Sequence, residues 1–172
     1  RAPNRARAFL KVQDGCNYRC AFCIVPSIRG RSRSLEPDAV AEQLDRLLAD
    51  NIAEVVVTGI HLGTWGFDIG LRRPGLAGLL ASLLEHPKLR NGEARLRLGS
   101  LDPHEVSDEL IGLLSHPGLC PHLHLPIQSG DDSVLARMRR AHRIADMERL
   151  IPRLRSAAPE VAIGSDLIVG FP

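Results

Sequence analysis

Two periods of apolar and polar positions alternate along the chain. Phe9 to Val12, Glu54 to Thr58, Arg95 to Leu98, His122 to Leu125 and Val161 to Val169 are short runs with the composition of strands. Val55-Val56-Val57 is continuous enough to predict a strand buried on both faces. Between these runs the period lengthens. Pro37 to Asp50 sets Val40, Leu44, Leu47 and Leu48 on one helical face, with proline in the first turn. Leu76 to Leu84 carries leucines at helical spacing and stops before the turn signal His86-Pro87. Glu105 to Leu114 has Val106, Leu110, Leu113 and Leu114 as its stripe. Val134 to Arg140 and Ala145 to Ala157 predict a helical pair, with a kink at Pro152 in the second member. Gly59 to Arg73 reads as a long loop. Residues 1–8, RAPNRARA, are basic and without period and read as a linker, which leaves 9–172 as one domain.

Strand then helix, repeated, argues a parallel sheet with helices outside and right-handed crossovers. Five strands make a sheet that curves without closing, so the predicted fold is α/β, an incomplete parallel (β/α) barrel of about five units. Ligands of such sheets bind beyond the carboxyl ends of the strands, where the polar motifs of this chain fall.

Composition adds little by itself. The 172 residues carry a net charge of +2 and are 44% hydrophobic, which excludes neither an enzyme nor a binding module. Basic charge is almost all arginine, since Lys11 and Lys88 are the only lysines, and arginine suits fork-like contacts to phosphate or carboxylate. No apolar run is long enough to span a bilayer and there is no signal peptide, so the expectation is a cytoplasmic protein without a membrane partner. The chain begins at Arg1 and stops at Pro172 directly after an apolar strand whose covering neighbour is missing, and it is therefore read as a fragment.

The cysteines change the picture. Three of the four lie in Asp14 to Gly30, DGCNYRCAFCIVPSIRG, at Cys16, Cys20 and Cys23, just after the first predicted strand. Thiolates suit iron-sulfur clusters, copper(I) or zinc, and a short loop can wrap three of them around one centre. Three ligands leave one iron of a four-iron cluster open to a substrate or cofactor. A zinc site would need a fourth ligand from Cys120 or a histidine, and the paired C-x2-C units of tight zinc knuckles are absent. Cys120 is isolated and by default a small buried hydrophobe.

Other polar residues have bland readings beside functional ones. Arg29, Arg31 and Arg33 surround Gly30 in a loop that is either a solvated turn or an anion site near the cysteines. Ser100, Asp102, Gln128, Ser129 and Asp166 sit at strand ends, where they contact a ligand or cap the next helix. Arg137 belongs to a run with Arg139 and Arg140 that a solvated face explains. His61 is either a substrate contact or a satisfied loop histidine. His122 and His124 alternate on a strand and so share a face.

The C-x3-C-x2-C spacing with Phe22 before the third cysteine resembles the radical S-adenosylmethionine (SAM) enzymes. CIVPSIRGRSRS, TGIHLGTWG (Thr58 to Gly66), HLHLPIQSG (His122 to Gly130), VLARMRR (Val134 to Arg140) and SDLIVGFP (Ser165 to Pro172) are together similar to the methylthiotransferase branch. TGIHLG most resembles the subgroup acting on threonylcarbamoyladenosine (t6A) beside the tRNA anticodon. Ser27, Leu35 and Gly99 depart from the common family pattern, away from the cysteines.

The resemblance implies a radical SAM barrel of six units, of which this chain would supply five. It implies a 4Fe-4S cluster on Cys16, Cys20 and Cys23 whose open iron chelates SAM, with reductive cleavage to a 5'-deoxyadenosyl radical and no catalytic residue assigned beyond the cluster. Phe22 would lie beside the adenine, with Ser100, Gln128, Ser129 and Asp166 as cofactor contacts. Arg29, Arg31, Arg33, His61 and Arg137 are candidates for substrate or phosphate. The implied partners are tRNA, a reducing electron donor and a sulfur source. A second 4Fe-4S cluster would belong to an amino-terminal domain, and an RNA-binding barrel would follow, both outside this chain. Methylthiotransferases of isopentenyladenosine tRNA or of a ribosomal protein aspartate are the nearest alternatives, and a non-catalytic, metal-stapled RNA-binding module is the alternative of another class.

Overall fold

The computed structural model describes residues 6–73 and 75–172. Its strands are β1 (Arg7–Lys11), β2 (Gln13–Asp14), β3 (Arg33–Ser34), β4 (Glu54–Thr58), β5 (Arg95–Leu98), β6 (His122–His124) and β7 (Ala162–Gly164). β1, β4 and β5 form a parallel sheet in that order, and β6 and β7 form a second parallel pair. Isolated bridges Leu96↔Leu119 and Ser100↔His124 join the two, so these five strands run parallel in chain order, as the alternation of periods predicts.

One face of this sheet is covered and the other is open. Leu10, Val55, Val57, Leu96, Leu98 and Leu123 are buried. Against them lie α2 (Pro37–Ala49), with Val40, Leu44 and Leu48, α3 (Gly75–Leu84), and α7 (Ile144–Ala157), with Met147, Leu150 and Leu154. The alternate positions point the other way. Phe9 there is 70% exposed and Val56 only half-buried, so the strand expected to be covered on both faces has one open side. That open side carries Arg97, His122 and His124, which are half-buried.

Several boundaries move for identifiable reasons. Of the linker expected over residues 1–8, residues 1–5 lie outside the described residues, while Arg7 and Ala8 pair with Glu54 and Val55 in β1. The helix expected from Glu105 begins as α5 at Asp108 (to Leu113), because Ser107 caps it, its Oγ accepting from the Leu110 N–H at 3.3 Å. Pro103–Glu105 is a separate 3-10 turn. The turn at His86-Pro87 opens the short helix α4 (Pro87–Arg90), and a further short helix, α1 (Val25–Arg29), follows the cysteines. α6 (Asp132–Arg137) ends before Arg139, whose φ of 58° is left-handed. α7 continues through Pro152. The last strand, expected to reach Val169, pairs only over Ala162–Gly164, with one further bridge at Gln128↔Leu167.

Candidate metal centre and cofactor face

The cysteine loop leaves the carboxyl end of β1 and is clipped at its base by an antiparallel ladder that the hydrophobic pattern does not reveal: β2 pairs with β3, Gln13 opposite Ser34 and Asp14 opposite Arg33. Gly15 crosses this stem with φ 72°, and a Cβ there would meet the Arg31 carbonyl oxygen at 2.1 Å, so the crossing requires glycine. Gln13, 1% exposed, ties the stem together. Its Nε2 donates to the Gly15 carbonyl at 2.7 Å and to Ser32 Oγ at 2.9 Å, while its Oε1 accepts the His61 N–H at 2.8 Å. Sequence reasoning missed this glutamine because its partners lie 19 and 48 positions away.

Cys16 and Cys20 are half-buried and Cys23 is exposed. Cys16 Sγ lies 3.4 Å from His61 Nδ1 and accepts the Tyr18 N–H at 3.3 Å. Burial alone would raise the Cys16 thiol, but these two hydrogen bonds outweigh it and bring its pKa below the ordinary value. Cys20 Sγ accepts from Arg140 Nη1 at 3.5 Å, and the Ala21 N–H donates to the Met138 carbonyl at 3.0 Å, fastening the loop to the end of α6.

Behind the cysteines is a buried charged cluster. His61 Nε2 is 2.6 Å from Glu105 Oε1 and 3.8 Å from Asp102 Oδ2, and Asp102 Oδ1 accepts from Arg140 Nη2. Burial would lower the His61 pKa, but the contacts to Cys16 and Glu105 prevail and push it up to about 10. The Tyr18 ring meets His61 edge-on at 4.3 Å, and its hydroxyl lies 2.9 Å from His104 Nε2. Burial, with Glu105 and Asp102 nearby, raises the Tyr18 phenol to about 12. Gly63 admits Glu105, since a Cβ there would lie 2.2 Å from Glu105 Oε2. His61, Asp102 and Glu105 gather within 4.8 Å, and here Asp102 is taken up by the Arg140 guanidinium and Glu105 by His61 at 2.6 Å, an arrangement of paired charges.

The candidate ligands divide accordingly. His61, 8% exposed, lies between Cys16 and Glu105. Asp102 is likewise buried against Arg140. Ser100 and Asp166 do come together, through a histidine: His124 Nδ1 is 2.8 Å from Ser100 Oγ and His124 Nε2 is 3.4 Å from Asp166 Oδ1, at the carboxyl ends of β5, β6 and β7. Gln128 has φ 72°, uncommon for a residue with a Cβ, and its backbone bonds the Asp166 carbonyl and the Ile168 N–H. Ser129 Oγ accepts the Asp131 N–H at 3.2 Å, turn chemistry ahead of α6. Phe22 is exposed and meets Phe171 edge-on at 6.4 Å. Arg29 and Arg33 both reach Asp14, Arg31 is exposed, and Arg137 Nε donates to the Pro172 carbonyl.

This loop fits an iron-sulfur cluster better than a single ion. A lone zinc at its usual ~2.3 Å Zn–S distance would draw thiolate sulfurs to roughly 3.8 Å apart. Cys16, Cys20 and Cys23 do not gather within 4.8 Å of one another as the buried His-Asp-Glu group does. Cys120, 3% exposed, is bonded to Glu54 at the opposite end of the strands and cannot supply a fourth ligand. Arg140 Nε is buried without a partner, a spare donor beside Cys20 that the sulfur atoms of an anionic cluster suit.

Comparison with known proteins agrees. A sequence model of the Radical SAM superfamily matches residues 10–172. The chain is 39% identical to threonylcarbamoyladenosine tRNA methylthiotransferase MtaB of Rickettsia prowazekii, over 98% of this chain and 39% of that protein. It is 41% identical to ribosomal protein uS12 methylthiotransferase RimO of Chloroflexus aurantiacus, over 96% of this chain and 36% of that one. A solved structure of the radical SAM methyltransferase TsrM from Kitasatospora setae, with cobalamin and a [4Fe-4S] cluster bound, superposes with a TM-score of 0.75 at 18% identity, over 95% of this chain and 31% of that one. The chain belongs to the Radical SAM superfamily, and it spans under two-fifths of the length of these methylthiotransferase relatives.

Proposed function

We propose that this segment is the SAM-cleaving core of a methylthiotransferase that places a methylthio group on C2 of threonylcarbamoyladenosine at A37 of tRNA. The observation that carries the reading is the cysteine loop at the end of β1, which holds two half-buried sulfurs against protein donors and presents the third outward. Cys16, Cys20 and Cys23 would hold a 4Fe-4S cluster, which when bound supplies the electron for reductive SAM cleavage. The chain's own residues shape the rest. The stem held by Gln13 fixes the loop, and His61 and Asp102 behind it are buried. Ser100, hydrogen-bonded to His124, and Asp166, 3.4 Å from the same ring, form a polar group at the strand ends suited to the hydroxyl and amino groups of SAM.

The tRNA reading is supported by the MtaB relative and by TGIHLG at Thr58 to Gly63. The RimO relative, at similar identity, supports a second reading in which a ribosomal protein is the substrate. A second cluster and the RNA grip belong in this proposal to regions of the relatives that the chain does not span, and the electron donor and sulfur source are separate partners. The test is mass spectrometry of tRNA nucleosides and of ribosomal protein uS12 from cells with and without the full protein. The proposal expects 2-methylthio on threonylcarbamoyladenosine to depend on it, and a dependence of the uS12 modification alone would replace it with the second reading.

A further inference from the structure

Two of the three cluster thiolates are met by side-chain donors from distant parts of the chain. His61, from the loop after β4, reaches Cys16 Sγ through Nδ1 at 3.4 Å, and Arg140, beyond α6, reaches Cys20 Sγ through Nη1 at 3.5 Å. Among the described residues no donor reaches Cys23 Sγ. The two donors are also locked from behind by neighbouring carboxylates. Asp102 accepts from Arg140, Glu105 Oε1 lies 2.6 Å from His61 Nε2, and the Asp102 backbone N–H donates to Glu105 Oε2 at 3.2 Å, which fixes the Glu105 carboxylate on the 3-10 turn. His61 Nε2 faces the Glu105 carboxylate and Nδ1 faces Cys16 Sγ, so Nδ1 is the nitrogen placed to donate to that sulfur once it is a metal-bound thiolate. Arg140 is a donor in every state accessible in water.

We propose that His61 and Arg140 are positioning residues that raise the reduction potential of the cluster, by donating hydrogen bonds to Cys16 and Cys20 while leaving Cys23 without a donor. Reduction adds one electron, whose charge spreads onto the ligand sulfurs, and N–H donors at those sulfurs favour the reduced form. Burial of both side chains strengthens the effect, since water does not compete for the same sulfurs. Asp102 and Glu105 hold the donors in place and offset their charge. The asymmetry also distinguishes the ligands: the two sulfurs against the protein each meet a side-chain nitrogen, and the exposed one meets none among the described residues. This inference rests on the cluster assignment made above.

The test is a redox titration of the anaerobically reconstituted full protein, following the electron paramagnetic resonance signal that responds to SAM, with iron content and thermal melting measured alongside. His61→Phe keeps a ring against Tyr18 and removes both ring nitrogens; Arg140→Met keeps the stem and removes the guanidinium. At the potential where the parent is half reduced, each variant is expected to show a reduced-to-oxidised ratio about tenfold lower, which is about 59 mV for a one-electron couple. Arg140→Lys, which keeps an ammonium donor, is expected to recover most of the loss. Because His61→Phe leaves Glu105 buried without its partner, the paired change His61→Phe with Glu105→Gln provides the same readout should the single variant not fold. Variants whose remaining clusters titrate at the parent's potential, whether or not iron content falls, assign a purely structural role and overturn the inference. A parent protein with no SAM-responsive signal overturns the cluster reading itself and this inference with it.

Discussion

The side-chain amide of Gln13 accepts the backbone N–H of His61 at 2.8 Å and so joins the stem of the cysteine loop to the segment after β4. With its two donor contacts to Gly15 and Ser32, it leaves none of these buried groups unpaired. Gln13→Leu keeps the bulk and orphans all three. The expected cost is about 3 kcal/mol or more, from three polar groups left without partners at about 1 kcal/mol or more each. Urea unfolding measures it, and iron content after reconstitution should fall with it. A variant as stable as the parent would show that water or a shifted stem replaces the amide.

Cys16→Ala, Cys20→Ala and Cys23→Ala should each abolish the cluster, while Cys120→Ala should leave iron content unchanged. Cys120 lies at the far end of the strands, its thiol donating to Glu54, so its loss costs on the order of 1 kcal/mol of stability and no metal. Equal loss of iron in all four variants would contradict the three-ligand reading.

Glu54 makes stability depend on acid. Its carboxylate is buried at the amino end of β4, opposite Arg7 and Arg95 in register, with Arg7 Nε at 2.5 Å, Arg95 Nε at 2.7 Å and Arg97 Nε at 2.9 Å. Burial alone would raise its pKa, but the hydrogen bonds from Arg97 and Arg95 prevail and lower it from an ordinary 4.5 to about 2. A carboxyl whose folded pKa is depressed contributes its stabilisation above the unfolded value and loses it as pH falls through the folded one. The protein should therefore lose up to about 3 kcal/mol between pH 4.5 and 2 through this group. Unfolding free energies across that window should flatten in Glu54→Gln, which is destabilised at neutral pH because three arginines then face one another. A parent slope that survives unchanged in Glu54→Gln would assign the acid sensitivity elsewhere.

Gln128 separates conformation from binding. Its left-handed backbone favours glycine, so Gln128→Gly should hold or raise stability, by up to about 1 kcal/mol, while Gln128→Ala should lower it slightly. If the side chain contacts SAM, both variants should bind SAM several-fold more weakly, as read by calorimetry on the cluster-loaded protein. Unchanged affinity in both would assign the residue to the turn alone.

The cysteine loop was legible because its ligands are close in sequence, and β4 and β5 were legible because strings such as Val55-Val56-Val57 have no competing local structure. Boundaries failed where a polar side chain decides them, as Ser107 does for α5. The residues that hold the site were mostly invisible for a different reason. Gln13 bonds His61, Arg140 bonds Cys20 and Ser100 meets His124 across 48, 120 and 24 positions, so no local pattern records them. His61 could be flagged as chemically able, but which way its ring faces depends on β4 and β1 lying side by side. The Asp102-Pro103-His104-Glu105 string directly after a strand was the one local trace of the buried network, and it reads equally well as a helix start.

The most direct test of the account is electron paramagnetic resonance on the anaerobically reconstituted, reduced protein, with and without SAM. A cluster signal that changes shape when SAM is added, and that is absent when Cys16, Cys20 or Cys23 is alanine, is the predicted result. Zinc held by tetrahedral thiolates, or a cluster signal indifferent to SAM, would contradict it and favour a metal-stapled binding module.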